Sequence, residues 1–178
     1  MSKKSISIED IWPQERDCIS RPERFKYVRK LIKPDGCVFC KEAQLGPTGS
    51  GLCLYKHEQA MVVLNKYPYN TGHLLVLPVR HVGKIWDLKS EEYQQLSQLL
   101  LKSAEVLEQV YQPQGLNIGM NHGQVAGAGI PEHLHWHIIP RWSGDTNFFP
   151  LIAETKVHPE SLEQSYSKLK PEFDKLEF

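Results

Sequence analysis

Three histidines alternate with apolar residues in the segment 133–139, which reads HLHWHII. Alternate residues of an extended strand project to the same side, so the imidazoles of His133, His135 and His137 are predicted to share one face. A merely solvated strand face would be rich in Thr, Lys or Glu, so this pattern indicates chemistry. Two kinds of site fit it, a set of metal ligands or a nucleophile with acid/base neighbours. The spacing alone does not decide between them.

A glycine-rich loop, GQVAGAGIPE at 123–132, comes directly before the histidines. Gly123, Gly127 and Gly129 lack side chains, so backbone N–H groups there could approach and hold an anion such as phosphate. An imidazole beside an anion site favours attack on phosphorus. The alternative is that the loop is only a turn.

Cys37 and Cys40 form a closely spaced CxxC pair among the four cysteines of the chain. In a reducing compartment such a pair is more typical of a metal or redox element than of a structural disulfide, and a metal-free reduced pair is the alternative. No helix is predicted directly behind the pair, which disfavours a thioredoxin-like redox role. Cys18 and Cys53 are predicted to be ordinary thiols.

Composition and charge exclude several classes of protein. The 178 residues carry 21 Lys plus Arg and 21 Asp plus Glu, with 40% hydrophobic residues. Without a long basic run, neither a nucleic acid nor an anionic membrane is expected as the partner. A chain of this length buries roughly 70% of its unfolded surface, so one domain with its own core is expected. The apolar runs are strand-sized and no signal sequence is evident, which predicts a soluble, cytoplasmic protein.

Hydrophobic periodicity predicts the elements that must position these residues. Short apolar runs predict antiparallel strands at 53–56, 60–65, 72–78, 115–120 and 133–140. A helical period predicts one helix over 90–111, capped by Ser90, and a second helix from about Pro159. The apolar side of the first helix is predicted to consist of Tyr93, Leu96, Leu99, Leu100, Ala104, Leu107 and Val110.

The sequence HLHWHII fits the His-x-His-x-His-x-x signature of the histidine triad (HIT) superfamily. NKYPYNTGHLLVLPVRH at 65–81 resembles the strand–turn–strand of that family, and residues 117–150 are similar to its branch of diadenosine polyphosphate hydrolases and phosphorylases. The resemblance implies an α+β fold with an antiparallel sheet of about five strands and packed helices. It also implies a homodimer, built from a single domain over 1–178 with its core at 37–150.

The resemblance implies nucleotidyl transfer from a nucleotide or dinucleoside polyphosphate. His135 would attack the α-phosphorus to form a nucleotidyl-histidine, His137 would bond phosphate or leaving-group oxygens, and His73 would support the triad. Water or another acceptor then resolves the intermediate. Further substrate contacts are expected from Asn65, Asn121, Gly127 and Gly129.

Three questions about function stay open at this point. The acceptor could be inorganic phosphate, which would make the protein a phosphorylase, or the chain could be a regulatory nucleotide-binding module with slow turnover. Ile130, Pro131 and Glu132 replace a small hydroxyl residue found before the triad in some members, so the leaving group is open. Lys66 and Arg141 are candidates to hold it, by sequence proximity only.

The cysteine pair gains partners through the same resemblance. In several HIT relatives such a pair binds zinc with two histidines, at positions that correspond here to His81 and His133. Two thiolates and two imidazoles make a closed tetrahedral site, which is structural because no position is open to substrate. A structural zinc bound by Cys37, Cys40, His81 and His133 is therefore expected.

Overall fold

The computed structural model describes residues 36–145 and 158–177. Within these residues a single antiparallel sheet has the spatial order β1-β2-β3-β5-β4. Its strands are β1 (Cys53–Lys56), β2 (Ala60–Leu64), β3 (Leu74–Pro78), β4 (Gly115–Met120) and β5 (Trp136–Arg141). The helices are α1 (Val38–Leu45), α2 (Ser90–Tyr111) and α3 (Leu162–Phe173), with a short 3-10 turn at Ile85–Asp87. The predicted α+β class with a five-stranded sheet is confirmed.

Some predictions fall outside the described residues. These are the assignment of Cys18 as an ordinary thiol and the resemblance of the segment 146–150. No helix within 36–145 or 158–177 is long and apolar enough to cross a membrane.

The sheet separates two apolar layers. Every residue of β2 and β3 is buried, and alternate residues of these strands project to opposite faces. One face carries Val62, Leu74 and Ile138 and packs against α2 and α3. The other carries Met61, Leu75 and Leu77 and packs against α1, which comes directly after the first cysteine. The sheet therefore has an apolar layer on each of its two faces.

Helix α2 occupies the predicted range, but its cap differs from the prediction. Lys89 is the N-cap residue, and its backbone N–H donates to the Glu92 carboxylate at 2.8 Å. Ser90 is the first helical residue, so the predicted Ser90 cap is wrong. The prediction that Tyr93 lies in the core is also wrong, since Tyr93 is 49% exposed. Leu96, Leu99 and Leu107 are buried as predicted.

Helix α1 was not expected, because eight residues give too short a stretch for a helical period to be recognised. Cys37 is its N-cap residue and Cys40 lies in its first turn, so a helix N-terminus does lie at the cysteine pair. The stated reason against a redox role is therefore wrong. The contacts of the pair favour a metal site instead, because the Cys37 thiol faces the imidazole of His133 and the Cys40 thiol faces that of His81.

Helix α3 confirms the second predicted helix. Ser161 caps it by accepting the Gln164 N–H at 3.2 Å, and the Gln164 side chain accepts the Ser161 N–H at 2.8 Å. Leu169 and Phe173 are fully buried in the layer shared with α2.

The histidine-bearing strand begins later than predicted, because β5 starts at Trp136 rather than at 133. Before that point the Leu134 N–H donates to the Val82 carbonyl at 2.7 Å, and the His133 N–H closes a turn onto the Ile130 carbonyl at 3.3 Å. The first two histidines therefore lie in an irregular segment in front of β5. This departure lets the side chain of His133 serve a site different from that of the other two histidines.

Candidate active site and metal cluster

A cluster of two thiols and two imidazoles lies beside the start of β5. The metal-binding atoms of Cys37, Cys40, His81 and His133 all lie within 4.8 Å of one another. The Cys37 Sγ is 3.4 Å from the His133 Nδ1, and the Cys40 Sγ is 3.4 Å from the His81 Nδ1. A tetrahedral zinc with ordinary Zn–S and Zn–N bonds places neighbouring S and N ligands about 3.5 Å apart. The sequence prediction thus named four residues that the fold brings together.

The tautomer of His133 fits a metal ligand. Its ring is fully buried, and the Nε2 lies 2.8 Å from the Pro78 carbonyl. A carbonyl only accepts, so the Nε2 carries the hydrogen and the Nδ1 lone pair faces the thiols. A hydrogen bond from the second ring nitrogen to a carbonyl fixes the orientation of a metal-binding imidazole. The four side chains therefore fit a closed zinc site that would hold α1 against the segment before β5.

His135 is held in the orientation of a nucleophile. Its Nδ1 lies 2.8 Å from the backbone carbonyl of His133, and its side chain is buried. Because that carbonyl only accepts, the Nδ1 of His135 carries the hydrogen and the Nε2 keeps its lone pair. An imidazole with a free Nε2 lone pair can attack phosphorus.

His137 has the opposite tautomer because of a relay that begins at a backbone amide. The Tyr69 N–H donates to the Nδ1 of His73 at 3.0 Å, so neutral His73 carries its hydrogen on Nε2. That Nε2–H lies 2.9 Å from the Nδ1 of His137, which therefore accepts. His137 is left with a hydrogen on its own Nε2. His135 offers a lone pair at Nε2 and His137 a proton, with their ring centres 5.1 Å apart.

Burial keeps these imidazoles neutral. Loss of hydration lowers the pKa of His137 to about 4, with a further contribution from neighbouring His135. The same desolvation lowers the pKa of His133 to about 4 and lowers that of His135. A neutral His135 is the reactive form of a nucleophile near pH 7.

The turn before β3 positions His73. Gly72 adopts a φ of +73°, and a Cβ there would lie 2.8 Å from the Tyr111 ring, so only glycine fits. Asn65 stabilises the same turn by accepting the Tyr67 N–H at 2.9 Å, and its amide lies 3.3 Å from the His73 Nδ1. His73 is fully buried, which excludes a surface histidine. Asn65 and His73 therefore belong to one hydrogen-bonded turn.

The glycine-rich loop is folded onto itself at Gly127. The Gly127 N–H donates to the Gln124 carbonyl at 3.0 Å, and its φ of +95° explains the glycine. The Asn121 side chain donates to the Gly127 carbonyl at 3.4 Å. The predicted use of the Gly127 amide as an anion donor is therefore disfavoured, and Gly129 is the better candidate. Asn121 lies at the end of β4 beside this loop.

The two cations considered for the leaving group differ in position. Arg141 ends β5, opposite Gly115, at the far end of the strand from the triad. Its guanidinium donates to Asp145 at 2.8 Å and to the Asn117 side chain at 2.6 Å. Arg141 therefore has partners of its own away from the triad, and its suggested role at the leaving group stays a prediction. Lys66 lies in the exposed turn beside Asn65 and stays a candidate.

Sequence reasoning missed three residues that shape the site. The Tyr69 amide sets the tautomers, but a backbone donor leaves no trace in residue type. Asn70 is buried and donates to the Pro140 carbonyl at 2.8 Å and to Asp145 at 2.6 Å, which ties the His73 turn to the end of β5. Phe39 packs against two triad rings, and its place between the two cysteines was the available signal.

The comparisons with known proteins agree with this geometry. The sequence profile described as "HIT domain" matches residues 50–144. The chain belongs to the HIT family. The AP-4-A phosphorylase of Mycobacterium tuberculosis is 41% identical over 69% of this chain, and the match spans 63% of that protein's length. The asymmetrical bis(5'-nucleosyl)-tetraphosphatase of Schizosaccharomyces pombe is 36% identical over 56% of this chain and 53% of its own.

Solved structures place this HIT protein among proteins of the same fold. A zinc-bound histidine triad family protein from Mycobacterium smegmatis superposes with a TM-score of 0.62 at 25% identity, covering 78% of this chain and 94% of its own. A HIT-family member from Bacillus subtilis superposes with a TM-score of 0.56 at 31% identity, covering 62% of this chain and 77% of its own. These neighbours agree with the predicted family and fold.

Proposed function

We propose that this HIT protein cleaves dinucleoside polyphosphates at the α-phosphate through a nucleotidyl intermediate on His135. The observation that carries the proposal is the pair of Nδ1 contacts, which assigns a lone pair to the Nε2 of His135 and a hydrogen to that of His137. Nucleophilic attack on phosphorus needs the lone pair of His135, and the N–H of His137 can stabilise the negative charge that develops on oxygen. The relatives named for diadenosine tetraphosphate chemistry supply the substrate class.

The reaction divides into two displacements at the α-phosphorus. First the Nε2 of His135 forms a P–N bond while the P–O bond to the polyphosphate breaks, and the Nε2–H of His137 bonds a phosphate or leaving-group oxygen. Then an acceptor oxygen forms a new P–O bond and the P–N bond returns its electron pair to His135. Each step has a lower barrier than a single displacement would have. Asn65, Asn121 and Gly129 are proposed to hold the nucleotide.

Inorganic phosphate is the proposed acceptor, because the phosphorylase relative is 41% identical to this chain. Diadenosine tetraphosphate and phosphate would then give ADP and ATP. Water is the second candidate, favoured by the 36% identical tetraphosphatase relative. With water the same substrate would give AMP and ATP.

The cluster of Cys37, Cys40, His81 and His133 is proposed to bind zinc. The support is its fit to a tetrahedron of two sulfur and two nitrogen ligands. Zinc there would brace α1 against the segment before β5 and would not touch substrate. A single domain over 1–178, a homodimer and a cytoplasmic location stay proposals, which sedimentation of the purified chain and cell fractionation would test.

A product assay tests the function and separates its variants. Purified protein is given diadenosine tri- or tetraphosphate with and without phosphate, and the products are separated by chromatography. ADP beside the remaining nucleotide only when phosphate is present indicates phosphorolysis, and AMP in both conditions indicates hydrolysis. Nucleotide binding without turnover of either substrate would indicate a regulatory module and contradict the proposal. His135→Asn is the matched control and should bind the substrates without turning them over.

A further inference from the structure

Phe39 joins the metal cluster to the catalytic histidine. It lies between Cys37 and Cys40 in the sequence and is 5% exposed. Its ring centre is 5.4 Å from that of His133 in an edge-on arrangement and 5.1 Å from that of His135. A single rigid side chain thus touches one cluster ligand and the proposed nucleophile.

The ring of His135 needs more than its hydrogen bond to be fixed. The bond from its Nδ1 to the His133 carbonyl fixes one atom, and the ring can still swing about that contact. Phe39 packs against the ring of His135, and so does His137. A displacement of even about 1 Å in a reactive group slows a reaction. The contacts that restrain this ring motion therefore bear directly on catalysis.

We propose that Phe39 is a positioning residue that transmits the geometry of the Cys/His cluster to the ring of His135. The inference rests on the proposed function of His135. Cluster thiols stand on both sides of Phe39 in the sequence, Cys37 two residues before it and Cys40 directly after it. Holding the two thiols fixes the first turn of α1, and with it the ring of Phe39.

The packing of Phe39 makes this transmission stiff. Its ring belongs to the apolar layer that also contains Ala43, Met61 and Leu75, so it has little room to move independently of α1. A change in bond lengths at the cluster therefore reaches His135 by a route separate from the His133 carbonyl.

NMR on the wild-type protein tests the contact without any variant. With zinc bound, through-space contacts are expected between the Phe39 ring protons and the imidazole protons of His135. Exchange of zinc for cadmium, whose bonds to sulfur are longer, should shift the ring signals of His135 and leave those of His57 unchanged, since His57 bonds Gln95 outside the cluster. No Phe39–His135 contact, or no shift at His135, would overturn the proposal.

The variant Phe39→Leu tests the consequence, with Val63→Ala as the matched control from the same apolar layer. Pre-steady-state formation of the nucleotidyl adduct should slow about ten- to hundredfold in Phe39→Leu, with KM changed less than about twofold. The cadmium-induced shift at His135 should also shrink. Val63→Ala should lose stability but keep the adduct rate.

The outcomes separate the two proposals. A wild-type protein that turns over substrate without an adduct contradicts the function of His135, and the NMR contacts then still decide whether Phe39 positions its ring. A wild-type protein that forms the adduct, with Phe39→Leu no slower than Val63→Ala, overturns the role of Phe39 alone. If Phe39→Leu does not fold, the wild-type contacts and cadmium shift decide.

Discussion

At the residue scale, His135 and His137 are assigned opposite tautomers by the atoms that their Nδ1 atoms contact. The Nδ1 of His135 faces a carbonyl, and that of His137 faces the Nε2–H of His73. The Tyr69 amide sets the second arrangement by bonding His73. The proposed chemistry would therefore depend on one backbone donor and one backbone acceptor as much as on the triad.

The relay predicts a specific loss when His73 is replaced. His73→Leu removes the donor to His137, so the ring hydrogen of His137 is no longer confined to its Nε2. We therefore expect kcat to fall about ten- to hundredfold, with a smaller change in KM. His73→Gln keeps an amide donor of similar reach and should recover part of the rate. Steady-state kinetics measure both, and thermal unfolding controls for the loss of a buried side chain. Equal kcat in His73→Leu and wild type would contradict the relay.

At the scale of elements, an ion pair holds the start of α2 to the segment that carries His81. The Arg80 guanidinium donates to both oxygens of Glu92 at 2.7 Å. This hydrogen bonding holds the pKa of Glu92 at about 2, against the opposing effect of burial. His81, the next residue, contacts the Cys40 thiol. The pair therefore stabilises both α2 and the approach of His81 to the cluster.

This pair predicts a pH-dependent stability difference. The folded pKa of Glu92 is lowered, so its contribution is present above about pH 4.5 and is lost as pH falls towards 2. Arg80 is half exposed, so the effect is discounted, and Glu92→Gln should destabilise by about 1–2 kcal/mol at pH 7. At pH 3 most of that difference should be gone. Urea unfolding of both proteins at the two pH values measures it, and an equal difference at both would contradict the account.

The elements also show how far sequence reasoning reaches. Long or strongly patterned segments were predictable, such as the stripe of Leu96, Leu99 and Leu107 in α2 and the continuous apolar run of β3. Helix α1 was not predictable from the sequence, because it is short and owes its stability to the packing of Phe39 and Ala43. The start of β5 was misplaced because Leu134 pairs with Val82, a tertiary contact that alternation does not reveal.

The residues of the candidate site were predictable from the sequence, but the hydrogen bonds between them were not. The alternating histidines and the CxxC pair indicated chemistry, and the HIT resemblance then implied His135 as the nucleophile and His81 and His133 as the partners of the two thiols. The bond between His73 and His137 joins residues 64 positions apart, and spacing carries no information about it. The turn at Gly127, which uses the amide expected to bind phosphate, was equally hidden.

At the scale of the whole molecule, the proposed metal joins parts of the chain that are distant in sequence. Cys37 caps α1 and Cys40 lies in its first turn, His81 follows β3, and His133 precedes β5. A structural metal contributes its binding free energy to folding. The cluster is thus expected to determine stability as well as the position of His135 beside it.

Removing the two thiols should remove the metal and much of the stability. Protein purified without added metal should contain about one zinc per chain, and Cys37→Ser/Cys40→Ser should contain little and unfold with a free energy lower by several kcal/mol. Cys53→Ala is the control, since Cys53 is a buried free thiol outside the cluster and its loss should leave the zinc content unchanged. Elemental analysis and denaturant unfolding provide the readouts. Absent zinc in the wild type, or full zinc in the double variant, would refute the four-ligand site.

The central claim is that His135 carries the nucleotide during turnover, and mass spectrometry of the quenched intermediate tests it most directly. Protein mixed with diadenosine tetraphosphate is quenched in alkali, where a phosphorus–nitrogen bond survives, digested and mapped. The account predicts an adenylyl group on the peptide that contains residues 133–139, bonded to His135, and no adduct or turnover in His135→Asn. Turnover that persists in His135→Asn, or an adduct on another residue that forms and decays at the rate of turnover, would contradict it.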